Sequence, residues 1–236
     1  MNQLLILFIA IPLLAFFVSL FWQNKSERPI GNIVRLTKLF YIFVAIAFFI
    51  WWMWSGYQPV TYKVATIYQT DHFVFAIQLY YDEITAVFSV VGAFLFFLVA
   101  TFSKYYMHRD AGYKRFFNTI LLFATAYNFI ILSGNFETLF IGWELKGLCS
   151  FLLIAFYRNR YMPVKNAFKA VSYYRMSDVA LMLAMWMMHH LTHQNITFFQ
   201  LGEAKEMAVT SGQTGMAFFI VCMIILPAVI KSAQFP

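Results

Sequence analysis

Charge is what this sequence has least of. Lys, Arg, Asp and Glu together supply 11% of its 236 residues, where a soluble domain carries about a quarter. Water cannot solvate a surface so depleted, and 62% of the residues are hydrophobic, with 29 Phe, 14 Tyr and 6 Trp among them. A soluble fold is therefore a poor reading, and a polytopic membrane protein a good one. Cysteine is nearly absent: Cys149 and Cys222 lie far apart in apolar runs. They suit buried small side chains better than a disulfide or a metal pair. No basic leader precedes the first apolar run and no small-residue cleavage site follows it, so residues 3–22 read as a first membrane helix rather than a signal peptide. Nucleophile elbow, phosphate-binding glycine loop and zinc-ligand spacing are all missing, which argues against an enzyme with its active site in a loop. No cofactor or metal is expected.

What is present is a succession of apolar runs, each about long enough to cross a bilayer core. Seven can be drawn, at 3–22, 38–55, 84–103, 116–134, 136–156, 166–188 and 214–235. The fold class expected is an all-α polytopic membrane protein of about seven transmembrane helices. Segments four and five are separated only by "SGN" at 133–135, which makes them a tight antiparallel hairpin. Residues 57–81 differ in kind. They alternate and are rich in Val, Thr, Tyr and Ile, so a short β-hairpin or extended loop is expected between helices two and three. Residues 195–206 read as the start of a short interfacial helix with Phe198, Phe199 and Leu201 facing lipid.

The net charge of +7 has the sign that nucleic acid attracts, but its distribution points to membrane topology instead. Alternate connections carry Lys25, Arg28, Arg35 and Lys38, then Lys104, Arg109, Lys114 and Arg115, then Arg158, Arg160, Lys165 and Lys169. The opposite set holds only Lys63 and Lys205. By the positive-inside rule the N-terminus lies outside and the basic connections lie in the cytoplasm.

Five charges remain inside the apolar runs: Glu144, Lys146, Arg175, Asp178 and Lys231. Each would cost about 2.5–3.5 kcal/mol at the centre of an isolated helix, so such residues normally face the bundle interior, pair, and mark an ion path. Glu144 lies about eight residues into segment five, roughly 12 Å deep. Lys146 is about 200° round the helix from it and needs a different partner. Arg175 and Asp178 are three apart and share a face, which allows a local ion pair. Pro227 removes the backbone bond to residue 223 and so predicts a break in the seventh helix beside Lys231. An amine taken out of water gives up its proton more readily, and a nearby carboxylate counters that effect. Moving one relative to the other would switch proton affinity. His189, His190 and His193 at the end of segment six read as a polar interfacial cap, with proton entry or metal binding as the alternatives.

Four stretches, in order and spacing, carry a resemblance: "YYMHRDAGYKRFF" at 105–117, "LFIGWELKGLCSFLLIAFYRNR" at 139–160, "NAFKAVSYYRMSD" at 166–178 and "KSAQFP" at 231–236. They resemble the antiporter-like proton-translocating superfamily. That superfamily includes the L subunit of respiratory complex I, the A subunit of Mrp antiporters and the membrane subunit of DAB inorganic-carbon uptake complexes. The resemblance covers residues 80–236 well and the first 80 in layout only. It implies that Glu144 and Lys231 form the input pair of a proton path, with Lys169, Arg175 and Asp178 as supporting charges. Lys146 stands where complex I members usually carry an uncharged residue, so it is a further charge of interest.

The family's inverted repeat of five helices each implies two parts here. Residues 1–110 would hold helices one to three with the external loop, and residues 111–236 the incomplete first repeat. A longer chain or a second chain would then supply the rest of the path. Other membrane subunits and lipid are the partners implied, and the plasma (inner) membrane is the expected location. A scaffold subunit that moves no ions, or the membrane subunit of an inorganic-carbon uptake complex, is the alternative. With segment seven starting at Thr214, Lys231 would lie roughly 26 Å deep. The helix is therefore expected to begin nearer Phe218 or to unwind around Pro227.

Overall fold

The computed structural model describes residues 2–22, 27–70, 74–192, 197–200 and 212–234. Among them are seven α-helices: α1 (Ile6–Phe21), α2 (Glu27–Trp54), α3 (Glu83–Tyr106), α4 (Tyr113–Ile131), α5 (Phe136–Ile154), α6 (Tyr161–Thr192) and α7 (Thr214–Lys231). An antiparallel pair of strands, β1 (Val60–Gln69) and β2 (Val74–Tyr81), stands between α2 and α3, so the hairpin expected at 57–81 forms. Every apolar segment of the sequence has its helix. Four stretches are long and apolar enough to cross a membrane: Gln3–Phe21, Glu27–Trp54, Glu83–Tyr106 and Thr214–Lys231. The other three helices, α4 to α6, are less apolar and carry Asn118, Asn128, Glu144 and Asp178.

Helix ends depart from the apolar runs. α2 begins at Glu27 rather than at 38, so Arg28, Arg35 and Lys38 ride on the helix instead of in a loop. Lys104 sits in the last turn of α3, Lys114 and Arg115 in the first turn of α4, and Lys165 and Lys169 on α6. The reason is length. The 28 residues of α2 make a rod of roughly 42 Å, against about 30 Å of hydrocarbon. A turn that projects into the headgroups pairs its backbone internally whatever its side chains, so hydropathy does not register it.

Caps explain where the elements start. The Asp82 side chain accepts from the Thr85 amide at 2.8 Å at the head of α3. The Asn135 side chain accepts from the Thr138 amide at 3.0 Å at the head of α5, and this closes the tight α4–α5 turn. Strand β2 is fastened to the same turn. The Tyr80 amide donates to Leu132 O at 2.8 Å, the Gly134 amide to Gln78 O at 2.9 Å, and the Asn135 amide side chain to Ala76 O at 2.8 Å. From the other side the Phe198 amide donates to Gly134 O at 3.0 Å. The turn that joins two helices is thus the anchor of the hairpin.

Two apolar clusters result. One fills the space between α1, α2, α3, α4 and the hairpin, around Phe8, Tyr41, Phe48, Trp52 and Tyr81. Their rings meet mostly edge to face, with centroids 4.7 to 6.3 Å apart. The polar atoms inside it are satisfied by one another, as an apolar medium requires: the Tyr41 hydroxyl donates to Asn128 Oδ1 at 2.6 Å and Asn128 Nδ2 to Phe8 O at 2.7 Å. The second cluster gathers Phe136, Leu181, Met188 and Ile220 from α5, α6 and α7. Phe198 packs edge to face on Phe136 at 4.7 Å, turned inward rather than towards lipid as expected. Residues 201–206 lie outside the described residues.

The break expected in the seventh helix is not where proline pointed. α7 runs without interruption from Thr214 through Pro227 and stops at Lys231. Both alternatives for its depth, a later start and unwinding at Pro227, are therefore corrected. The helix ends in a turn of its own beyond the lysine. The Gln234 amide returns to Val229 O at 3.1 Å and the Ala233 amide to Ile230 O at 3.2 Å, with Ala233 in the left-handed region at φ 55°, the position glycine usually takes.

Candidate functional site

Helices α5, α6 and α7 bring four charges into one line. Arg175 Nη1 donates to Glu144 Oε1 at 3.1 Å and lies 2.9 Å from Oε2. The same nitrogen is 3.6 Å from Asp178 Oδ2, and Asp178 Oδ1 is 3.3 Å from Lys231 Nζ. The direct pairing expected of Glu144 with Lys231 is thus replaced by a linked series, Glu144, Arg175, Asp178, Lys231. The reason is helical: residues three apart on α6 share a face, so Arg175 and Asp178 turn together towards α5 and α7. Their local pair forms, but each also reaches a partner on another helix. The series has an open half and a buried half: Glu144 and Arg175 have side chains 27% and 56% exposed, Asp178 and Lys231 5% and 10%.

The seat of Lys231 is made by residues that sequence reasoning did not single out. Its ammonium donates to Trp143 O at 3.0 Å and lies 4.3 Å from the Trp143 ring centroid and 5.6 Å from that of Tyr174. Trp143 is held in turn by Nε1 donating to Ser177 Oγ at 3.1 Å. Trp143 and Gly147 are four apart and form one face of α5. A Cβ on Gly147 would lie 3.6 Å from the ammonium, an ordinary contact, so the amine sits directly over this face of α5. That spacing, beside Glu144, was the available signal.

The depth of Lys231 follows from the same packing. Its ammonium meets the Trp143 carbonyl at 3.0 Å, and Trp143 stands seven residues, roughly 10 Å, beyond Phe136 at the head of α5. The lysine stem carries the ammonium back from the end of α7 to that level, because helical side chains lean towards the N-terminus.

The remaining sequence candidates fall outside this line. Lys169 is exposed and makes no ion pair among the described residues. Lys146 is half-buried and likewise has no ion-pair partner among them. His190 stacks on Trp186 with centroids 6.0 Å apart, and His193 lies outside the described residues. No group of three metal-ligating side chains occurs among the described residues, and Cys149 and Cys222 are both free thiols. Chemically, the line can pass a change in charge: each member feels the next directly, so adding or removing a proton at one end alters the field at the other.

Comparison with known proteins agrees on one family. Residues 133–236 match the family described as NADH:quinone oxidoreductase/Mrp antiporter, TM, and residues 68–117 match the N-terminal region of chain 5 of NADH-ubiquinone oxidoreductase (complex I). The chain is 30% identical over 226 residues to NAD(P)H-quinone oxidoreductase chain 5 of Picosynechococcus sp., covering 93% of this chain and 33% of that one. It is 34% identical over 173 residues to the chloroplastic subunit 5 of Mesostigma viride, covering 71% and 26%. It therefore spans a third or less of these relatives. In fold it is similar to a chain of the archaeal membrane-bound sulfane sulfur reductase, with a TM-score of 0.71, 21% identity and coverage of 96% and 44%. It is also similar to a chain of the Mrp complex from Dietzia sp., with a TM-score of 0.70, 19% identity and coverage of 97% and 23%.

Proposed function

This chain belongs to the antiporter-like membrane-subunit superfamily, and from that premise we propose that it carries the input half of a proton path in a larger energy-coupled membrane complex. The observation that carries the reading is the ion series Glu144–Arg175–Asp178–Lys231 across three helices. Glu144 and Lys231 are the proton-exchanging ends. Arg175 and Asp178 transmit the charge state between them, and Lys169 and Lys146 bias it from further away. An amine in the series favours proton exchange over sodium, which takes oxygen ligands.

All seven helices cross the membrane in this reading, with residues 1–110 as a leading unit and 111–236 as the first part of the antiporter-like repeat. The N-terminus lies outside and the basic ends in the cytoplasm, across a plasma (inner) membrane. Arg175 supports a partner here. Its side chain is 56% exposed on the flank of α6, and a guanidinium turned to hydrocarbon costs about 2.5–3.5 kcal/mol. Further helices, from the remainder of a longer chain or from a second subunit, would cover that flank and continue the path. Whether the complex is driven by redox chemistry, an ion gradient or inorganic-carbon uptake is decided by the subunits that co-purify with it.

The test is coupled proton flux into vesicles containing the assembled complex. Glu144→Gln and Lys231→Ala should each abolish coupled flux while leaving assembly intact; undiminished flux in either removes the reading. One observation favours a second reading, a scaffold that moves no ions: Lys231 is already neutralised by Asp178 at 3.3 Å. In that case the variants would lower assembly or stability and leave flux per assembled complex unchanged.

A further inference from the structure

A second gathering of charge lies at the basic end of α2, α3 and α4, apart from the series on α5 to α7. Arg35 and Lys38 of α2 and Lys104 of α3 line a cavity of about 290 Å³ together with Gly31, Thr101 and Tyr113. Among the described residues no carboxylate lies within ion-pair distance of any of the three cations. Lys38 is held inward, donating to Thr101 Oγ1 at 2.6 Å with its ammonium 4.7 Å from the Phe97 ring centroid, while Arg35 and Lys104 are exposed. Gly31 keeps the cavity open beside Tyr113, since a Cβ there would stand 3.2 Å from the tyrosine hydroxyl. Three cations that converge without an acid repel one another until an anion joins them.

Depth narrows the kind of anion. With Trp54 at one edge of the hydrocarbon, Arg35 is nineteen residues away, roughly 29 Å, and Lys38 sixteen, roughly 24 Å. The core is about 30 Å thick, so the guanidinium meets the opposite headgroup layer and the lysine reaches it by extending along its stem. Phe102, Tyr105 and Tyr106 are 68%, 77% and 68% exposed at the same end of α3, as an interfacial aromatic belt requires. On the inner side of the cations, the same three helices, with Leu153 of α5, form an apolar cavity of about 310 Å³ lined by Tyr41, Leu95, Phe96, Val99 and Ile120. Val99 adjoins Ala100 of the basic cavity, and Tyr41 is one turn from Lys38. A soluble anion would satisfy the cations and have no use for this apolar space.

We propose that the junction of α2, α3 and α4 binds one anionic phospholipid, with its headgroup phosphate on Arg35, Lys38 and Lys104 and an acyl chain in the apolar cavity. Basic pockets at this depth between membrane helices suit such headgroups. The proposal does not depend on the proton-path reading.

Native mass spectrometry of the purified chain tests it, with phosphatidylglycerol, phosphatidylcholine of the same acyl chains, and inorganic phosphate as probes. Phosphatidylglycerol should be retained at least tenfold better than phosphatidylcholine. Arg35→Gln with Lys104→Gln should weaken that retention about 25-fold, roughly fivefold per cation. Val99→Trp, which fills the apolar cavity without changing charge, should weaken it too, and Arg158→Gln with Lys165→Gln, outside the cavity, should not. Equal retention of the two lipids would overturn the proposal. So would undiminished retention in the Arg35/Lys104 variant, or displacement of phosphatidylglycerol by inorganic phosphate.

Discussion

The pair of Asp178 with Lys231 is the part of the charge series whose energy can be worked from geometry. Their atoms are 3.3 Å apart and their side chains 5% and 10% exposed. Unit charges at that distance attract by about 5 kcal/mol at an effective dielectric of 20. Desolvation offsets a large part of this, so a net coupling of about 2 kcal/mol is expected. Asp178→Asn alone should cost about 3 kcal/mol, the lower end for breaking a buried pair, because Lys231 keeps the Trp143 carbonyl and the Trp143 ring. Lys231→Met alone leaves a buried carboxylate whose other partner, Arg175, is 3.6 Å away, so its cost should be similar. The double variant should be less destabilised than the two singles added together, by that same coupling. Reversible unfolding of the purified chain in mixed micelles, for the wild type, both singles and the double, gives the number. A coupling below about 0.5 kcal/mol would refute the buried pair. Glu144 and Arg175 form the internal comparison. Their side chains are 27% and 56% exposed, so the same cycle on them should return less than about 1 kcal/mol.

Other expectations follow from close approaches and caps. Gly142→Ala would bring a Cβ within 2.8 Å of the Ile130 amide nitrogen and of Phe129 Cβ, so it should lower the unfolding free energy by about 1–3 kcal/mol. Gly147→Ala meets only ordinary contacts, the nearest at 3.6 Å, and its helical preference of about 1 kcal/mol should leave the midpoint unchanged or raised. Asn135→Ala loses both the cap on Thr138 and the bond to Ala76; about 1–3 kcal/mol should go, with faster amide exchange along Val74–Tyr81. Lys169→Gln should reduce coupled flux far less than Glu144→Gln, since Lys169 stands nine residues before Asp178 on α6, roughly 13 Å away.

The sequence showed the helices because each coincides with a long apolar run, four of them long and apolar enough to cross a membrane, and it showed the hairpin because its alternation is a strand signal. It showed the site residues because a charge inside an apolar run is hard to miss. Three things were not legible. Helix ends that leave the hydrocarbon carry no periodic signature, which is why Arg35 and Lys38 read as loop residues and belong to α2. A proline in a membrane helix reports a missing hydrogen bond, and whether the helix bends, breaks or continues depends on its neighbours; here it continues, and the end comes after Lys231. The partner of a buried charge depends on helix rotation and depth together. That is how Arg175 and Asp178, readable as a pair closed on itself, came to stand between Glu144 and Lys231.

Lys231→Arg, assayed for coupled proton flux and for assembly in the same vesicles, puts the central claim to its most direct test. Arginine keeps the positive charge facing Asp178 but does not release its proton at any accessible pH. If protons pass through the amine, the variant should assemble normally and fail to translocate, as is expected of Lys231→Ala. Wild-type flux from Lys231→Arg would contradict the account, because a fixed charge would then be all that this position supplies.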